Sequence, residues 1–197
     1  PSKPPNPDHV GGYQHWAPHD EQNIKFSDNL KFFFKYQVGW SYMRYFMWNF
    51  AGRQNDIMNM DGNSVYGNWE SGLSTNKYKN VPSHLKNNKA KNHYYFLPLI
   101  IGLIGIFFHF KSQKTDALSV LLFFLFTGIF IILYLNVPPD QPRERDYAFV
   151  GSYFAFSIWI GVGIAFFQQK VRSFFENLNI SNFISSIIGI IIIVIMP

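Results

Sequence analysis

The chain contains no cysteine. Disulfide bonds, thiolate catalysis and cysteine-ligated zinc are therefore excluded for this sequence. Charge is missing from four stretches of the second half, which hold no Asp, Glu, Lys or Arg: Tyr95–Phe110, Ala117–Leu135, Phe149–Phe167 and Phe183–Met196. Apolar runs of this length and purity predict membrane-spanning helices, because such runs are costly to keep in water.

A concentrated basic surface is also missing. The net charge is only +5, and no stripe rich in Lys and Arg follows the chain, so a nucleic-acid partner is not expected. The sequence has neither a phosphate-binding glycine loop nor the nucleophile elbow of hydrolases. The scattered basic residues near the apolar runs instead favour anionic lipid headgroups.

The charged residues divide the chain into two regions. Residues 1–94 hold eleven of the seventeen Lys and Arg and seven of the twelve acids, and 95–197 is largely Ile, Leu, Phe and Gly. We predict an external or interfacial segment over 1–94 and a transmembrane region over 95–197, with spans near 95–110, 117–135, 149–167 and 183–197. The fourth run falls short of the about 20 residues that cross a bilayer. We therefore expect that span to be truncated and the chain to be a piece of a longer protein.

This pattern predicts an all-α integral membrane protein, a multi-span helix bundle with an aromatic-rich external segment. The alternative is a soluble protein with buried core helices. Gly102 and Gly105 in the first span, and Gly161 and Gly163 in the third, indicate faces where helices approach closely.

The external region contains one strongly aromatic segment, Asn29–Phe50. We predict a helix capped by Ser27 and Asp28 that lies along the membrane surface or on top of the spanning bundle. An amphipathic helix of a soluble domain is the alternative. A helical wheel places Lys31, Lys35, Tyr42, Tyr45 and Asn49 on one face. Residues 1–21, rich in Pro and Gly, and residues 53–93 are predicted to be irregular loops.

The number of spans sets the topology. Residues 1–94 and Asn136–Asp146 are expected on one side of the membrane, because two spans separate them. Basic residues near the membrane number five on that side and four on the other, so the positive-inside rule does not fix the orientation.

Two arginine-bearing strings fall on that shared side. One runs from Tyr42 to Asp56 and contains Arg44 and Arg53; the other runs from Pro138 to Tyr147 and contains Arg143 and Arg145. Arginine keeps its proton and presents a planar fork of donors that suits phosphate oxygens, which at a membrane face belong to lipids. In the alternative interpretation the second string is a salt-bridged turn and the first holds its arginines by snorkelling or cation–π stacking.

A metal site is not expected. His15 and His19 are four residues apart, which is the spacing of a helical metal pair, but Pro18 between them disfavours the helix.

The same strings carry a resemblance to a known family. They include Arg44-Tyr-Phe-Met-Trp-Asn-Phe-Ala-Gly-Arg-Gln-Asn-Asp56, Gly67-Asn-Trp69, Asn92-His-Tyr-Tyr-Phe-Leu-Pro98 and Gln141-Pro-Arg-Glu-Arg-Asp-Tyr147. The chain resembles, from about Asp28 to Gly163, a bacterial family of polytopic membrane proteins that is grouped with GT-C protein O-mannosyltransferases. The resemblance implies an inner-membrane enzyme that transfers a sugar, mannose in this group, from a polyprenyl-phosphate donor to Ser or Thr of an exported protein.

The resemblance also implies sites and sidedness. Residues 1–94 and 136–146 would face the periplasm. Arg143 and Arg145 would clamp the donor phosphate. The remaining predicted binding residues are Arg44, Arg53, Asn55, Glu144, Asp146 and Tyr147. The catalytic acid of such enzymes lies in the first external loop, so it is expected upstream of Pro1, with Asp56 a weaker candidate; the fragment alone would be inactive. The alternatives are a non-catalytic membrane scaffold of an envelope assembly and a transporter of a lipid-linked substrate.

Overall fold

The computed structural model describes residues 7–18, 24–59, 62–73, 82–86, 88–139, 145–174, and positions 187, 190 and 191. These described residues are mostly helical, as predicted. The fourth predicted span, 183–197, lies almost entirely outside the described residues.

The elements follow one another as a helical amino-terminal part, a largely irregular segment and a group of apolar helices. They are α1 (Pro7–Trp16), α2 (Phe26–Phe32), a π-helical stretch (Phe33–Met43), α3 (Arg44–Phe50), β1 (Gly52–Arg53), α4 (Ser83–Lys86), β2 (Asn92–His93), α5 (Leu97–Ser112), α6 (Lys114–Thr127), α7 (Ile129–Leu135), a 3₁₀ turn (Asp146–Phe149) and α8 (Val150–Phe174).

Within the part of the chain that the structure describes, two helical stretches are long and apolar enough to cross a membrane. They are Lys114–Leu135, which comprises α6 and α7, and Asp146–Ser173. The first corresponds to the predicted span 117–135, with a break at Gly128, whose φ and ψ are −114° and −93°. The second begins close to the predicted span 149–167 and extends beyond it. The predicted span 95–110 is the shorter apolar helix α5.

Glycine sets how closely α5 and α8 pack. A Cβ on Gly105 would lie 1.9 Å from the backbone oxygen of Trp159, and a Cβ on Gly163 would lie 2.3 Å from that of Ile101. No larger residue fits at either position, which confirms the prediction that these glycines allow a close approach. Gly161 was wrongly assigned to this face, because nothing lies within 4 Å of a Cβ built there.

The contacts along the helices give their relative directions. Gly102 lies against Phe156, and the rings of Phe108 and Phe166 are 4.6 Å apart, so α5 and α8 run parallel. Thr127 lies beside Gly151, and the rings of Phe124 and Trp159 are 5.8 Å apart, so α6 runs antiparallel to α8. The amino-terminal ends of α5 and α8 therefore lie at the same end of the helix group.

The aromatic helix, which we define as residues 26–50, packs across that end. Phe46 and Phe50 share a buried cluster with Phe156 and Trp159. The helical wheel placed Tyr42 on one face with Lys31 and Lys35, which are exposed, but Tyr42 is fully buried with Ile132 and Phe149. The π-helical stretch explains this error: with hydrogen bonds to i+5 it has more residues per turn than an α-helix, so positions after Phe33 leave the predicted wheel.

The amino-terminal loop prediction was also wrong. Residues 7–16 form α1, which begins at Pro7, a favourable first helical position. Tyr13 of this helix packs on Phe32, with 4.6 Å between the rings, and Trp16 lies 5.2 Å from Tyr36. These tertiary contacts stabilise a helix that its glycines and low apolar content disfavour.

The segment predicted as loop over 53–93 contains a small sheet. β1 and β2 pair antiparallel, with Gly52 opposite His93 and Arg53 opposite Asn92. Trp69 bridges to Arg53 on the other side of β1. This sheet connects the end of the aromatic helix to the start of α5.

Candidate functional site

Arg44 lies at the centre of the contacts between the aromatic helix and the segment that follows it. Its side chain is buried, with its carbon Cζ 4.4 Å from the ring of Tyr45 and 4.7 Å from that of Trp40. Nη1 donates a hydrogen bond to the Gly67 carbonyl at 2.7 Å, and Nε donates one to the Trp40 carbonyl at 3.2 Å. The guanidinium thus links a helix to a loop by hydrogen bonds to two different carbonyl groups, and it stacks on aromatic rings.

Asn55 holds the same loop from the other side. Its Oδ1 accepts hydrogen bonds from the backbone N–H groups of Gly67 at 2.7 Å and Ile57 at 3.3 Å, while Nδ2 donates to the Val65 carbonyl at 3.0 Å. Gly67 has φ of +51°, and a Cβ there would lie 2.2 Å from the Ile57 carbonyl oxygen. The string Gly67-Asn-Trp69 therefore requires its glycine.

Further amides complete this network. Gln54 donates to the Ser64 carbonyl and accepts from the Asn68 N–H, and Asn59 accepts from the Asn63 N–H. An irregular segment buried against a helix must satisfy its backbone groups in this way, since it has no regular ladder to do so. The side chains of Arg44 and Asn55 thus hold this loop in place through hydrogen bonds.

Arg53 differs from Arg44 in its surroundings. Its Cζ lies 4.7 Å from the ring of Trp48, which Arg44 also approaches, at 5.5 Å. The side chain is half-buried, and its Nε is shielded from water without a hydrogen-bond acceptor among the residues that the structure describes. The alternative interpretation of these arginines was snorkelling or cation–π stacking, and cation–π stacking is present at both Arg44 and Arg53. Arg53 additionally retains a donor that an anionic ligand would satisfy.

Asp56 is exposed beside this site. Its Oδ1 accepts a hydrogen bond from Asn88 Nδ2 at 3.0 Å. The carboxylate is therefore accessible to solvent and held in place by a neutral partner.

The second predicted string is described from Arg145 onward; Arg143 and Glu144 lie outside the described residues. Arg145, Asp146 and Tyr147 are all exposed at the 3₁₀ turn that leads into α8. The next residues anchor this turn, because Phe149 packs edge-on against Tyr42 at 5.2 Å between ring centroids. The turn is thereby attached to the aromatic helix that carries Arg44.

The helix directions bring the two strings to one end of the molecule. Arg53 pairs with Asn92, just before α5, and Arg145 precedes α8, which runs parallel to α5. Tyr42 and Ser152 tie the aromatic helix to α8 by a hydrogen bond of 3.1 Å. Burial raises the pKa of Tyr42 to about 12, with the hydrogen bond to Ser152 acting in the opposite direction, so this tyrosine stays a neutral donor.

A charged cluster that the sequence reasoning missed lies on the small sheet. Glu70 is 7% exposed, with Oε1 3.5 Å from His93 Nε2 and Oε2 3.4 Å from Lys91 Nζ. His93 lies in β2 and Lys91 just before it, whereas Glu70 lies in the segment that pairs with the other side of β1. Gly52 between them has no side chain, which leaves room for the contact. The only sequence signals for this cluster were the two basic residue types that alternate with Asn92 over 91–93 and the glycine at position 52.

Metal binding gains no support from the described part of the chain, where no three His, Asp or Glu side chains are grouped. His15 is exposed on α1, and His19 lies outside the described residues.

Comparison with known proteins finds no matching family model, no similar curated protein and no similar solved structure.

Proposed function

We propose that this chain is the membrane-embedded part of a glycosyltransferase that moves a sugar, mannose by resemblance, from a polyprenyl phosphate to Ser or Thr of an exported protein. The observation that carries the proposal is Arg53, a guanidinium seated on an indole with a buried donor that meets no acceptor among the described residues.

The proposal includes a multi-span topology in the inner membrane. Only 11% of the most apolar part of Lys114–Leu135 is buried in protein, and 33% of that of Asp146–Ser173. A core helix of a soluble protein would be mostly buried, so these surfaces favour lipid as their surroundings. The alternating directions of α5, α6 and α8 support three successive crossings, with residues 1–94 and 136–146 together on the periplasmic side.

In this proposal Arg53 and Arg145, with Arg143, bind the phosphate of the donor. During transfer the bond from the sugar C1 to the phosphate oxygen breaks and a bond to the acceptor hydroxyl oxygen forms. Negative charge grows on the leaving phosphate, where guanidinium groups stabilise it. The hydroxyl proton passes to a carboxylate; Asp56 is the exposed candidate within the chain.

Arg44 and Asn55 have a different part. Both are buried and hold the loop that ends at Trp69, so we assign them to positioning β1, and with it Arg53, rather than to phosphate contact. Exposed Asp146 and Tyr147 remain candidates for donor contact.

The test uses the full-length protein in membranes, a polyprenyl-phosphate mannose donor and an acceptor peptide. Arg53→Ala should lower transfer by roughly 10²-fold, the size of losing one transition-state donor. Lys111→Ala is the matched control, since it removes an exposed basic side chain near the opposite end of α5. Near-normal transfer by the Arg53→Ala, Arg145→Ala double variant would overturn the phosphate-binding role.

A non-catalytic membrane scaffold is the second candidate. It is favoured by one observation: Arg44 and Asn55, both within the string that carries the resemblance, engage in internal contacts. In that case the Arg53→Ala protein would retain its partners on purification, and the unchanged protein would show no transfer.

A further inference from the structure

Three large apolar side chains are exposed at the start of the aromatic helix. Phe26 is 75% exposed, Leu30 42% and Phe34 62%. Their spacing of four residues places them along one side of the helix. We call these three residues the 26–34 stripe.

The opposite side of the same helix is covered by α1. Phe32 and Tyr36 are buried in a cluster with Tyr13 and Ala17. The 26–34 stripe therefore lies outside the protein core, on a helix whose opposite side is held by its contacts with α1.

Positive charge borders the stripe. Lys31 and Lys35 follow Leu30 and Phe34 by one residue each, and both are exposed. Lys31 also pairs with Asp28 at 3.0 Å, which leaves 53% of its side chain exposed. An apolar stripe with lysines along one edge has the chemistry of a helix that lies at a lipid interface.

Hydrogen bonds set the level of this helix relative to the apolar helices. Gln37 Nε2 donates to Asn136 Oδ1 at 3.0 Å and to the Val137 carbonyl at 3.2 Å, immediately after α7 ends at Leu135. Tyr134, in the last turn of α7, is 87% exposed. The stripe is thus attached where the apolar surface of the helix group ends.

We propose that the 26–34 stripe inserts into the boundary between headgroups and acyl chains of the bilayer that the apolar helices cross, with Lys31 and Lys35 directed to lipid phosphates. This inference rests on the membrane embedding within the proposed function. It assigns lipid contact to the first third of the aromatic helix, whereas most side chains of residues 36–50 are buried or half-buried against protein.

The absence of cysteine makes the test direct. Single cysteines at Phe26, Leu30 and Phe34 carry a nitroxide label in the full chain, reconstituted in vesicles of phosphatidylcholine and phosphatidylglycerol. The measurement compares collision of the label with oxygen, which concentrates in lipid, and with a water-soluble nickel chelate. Lys35 serves as the matched site on the same helix, and Phe107, 73% exposed on α5, as the reference for lipid.

The proposal expects an oxygen-to-nickel ratio at the stripe close to that at Phe107 and higher than that at Lys35. A ratio as low as that at Lys35, with Phe107 still in lipid, would overturn it. Labels at the stripe that are immobile and shielded from both reagents would also overturn it, because protein would then cover the stripe. A low ratio at Phe107 itself would instead contradict the membrane embedding of the proposed function.

Discussion

The loop segment of residues 51–73 and the helix pair α5–α8 are held together by different means. In the loop, side-chain amides and one guanidinium satisfy the backbone groups of an irregular chain. Between α5 and α8, glycines remove side chains so that backbones touch. The loop therefore depends on specific donors and acceptors, whereas the helix pair depends on the absence of volume.

The largest expected effect is at Gly105. In Gly105→Ala the new Cβ meets the Trp159 carbonyl at 1.9 Å, so the helices must separate, at a cost of about 3 kcal/mol in the free energy of unfolding. Gly161→Ala is the matched control, since its Cβ meets nothing within 4 Å. Thermal unfolding in detergent measures both. Equal stability of the two variants would contradict the glycine-dependent packing.

Asn55→Ala tests the loop. It leaves the Gly67 N–H and the Val65 carbonyl without their partners, which should cost about 2 kcal/mol. Hydrogen exchange should rise over residues 62–69 and stay unchanged in α5. Asn49→Ala removes an exposed amide as control. Uniform destabilisation of both regions would show that loop and helices do not differ as described.

These contrasts explain what the sequence predicts and what it leaves open. Charge-free runs predict α5, α6–α7 and α8 because the length and composition of a run are local properties. Arg44 is different: its burial depends on the π-helical shift and on the approach of Gly67, neither of which composition indicates. α1 was missed for the same reason, since Tyr13 and Trp16 stabilise it through contacts with a later helix. The Glu70 cluster depends on the register across Gly52, which only the paired strands reveal.

Glu70→Gln probes the small sheet. It removes the buried carboxyl group that Lys91 and His93 both approach, and both of these side chains are near enough to solvent to be rehydrated. We expect a loss of about 1 kcal/mol, seen as faster hydrogen exchange at 91–93. Asp56→Gln, which removes an exposed carboxylate, is the comparison. The same rate of amide hydrogen exchange at 91–93 in the two variants would show that Glu70 does not stabilise the sheet.

The smallest effect is expected for Tyr42→Phe, about 0.5–1 kcal/mol at neutral pH for the lost hydrogen bond to Ser152. Because burial raises the pKa of Tyr42 from 10.0 to about 12, its contribution is complete below pH 10 and is lost as the pH rises to about 12. The Tyr42→Phe protein should therefore lose less stability over this range than the unchanged protein. Tyr134→Phe, at an exposed position, should behave as the unchanged protein does.

A shared phosphate site requires Arg53 and Arg145 to face one compartment. Single cysteines at Asp56, Arg145 and Gln113, the last between α5 and α6, can be labelled in sealed membrane vesicles with a thiol reagent that does not cross the bilayer. We predict that positions 56 and 145 react from the same side and position 113 from the other. Labelling of 56 and 145 from opposite sides would contradict the shared site and, with it, the proposed transfer.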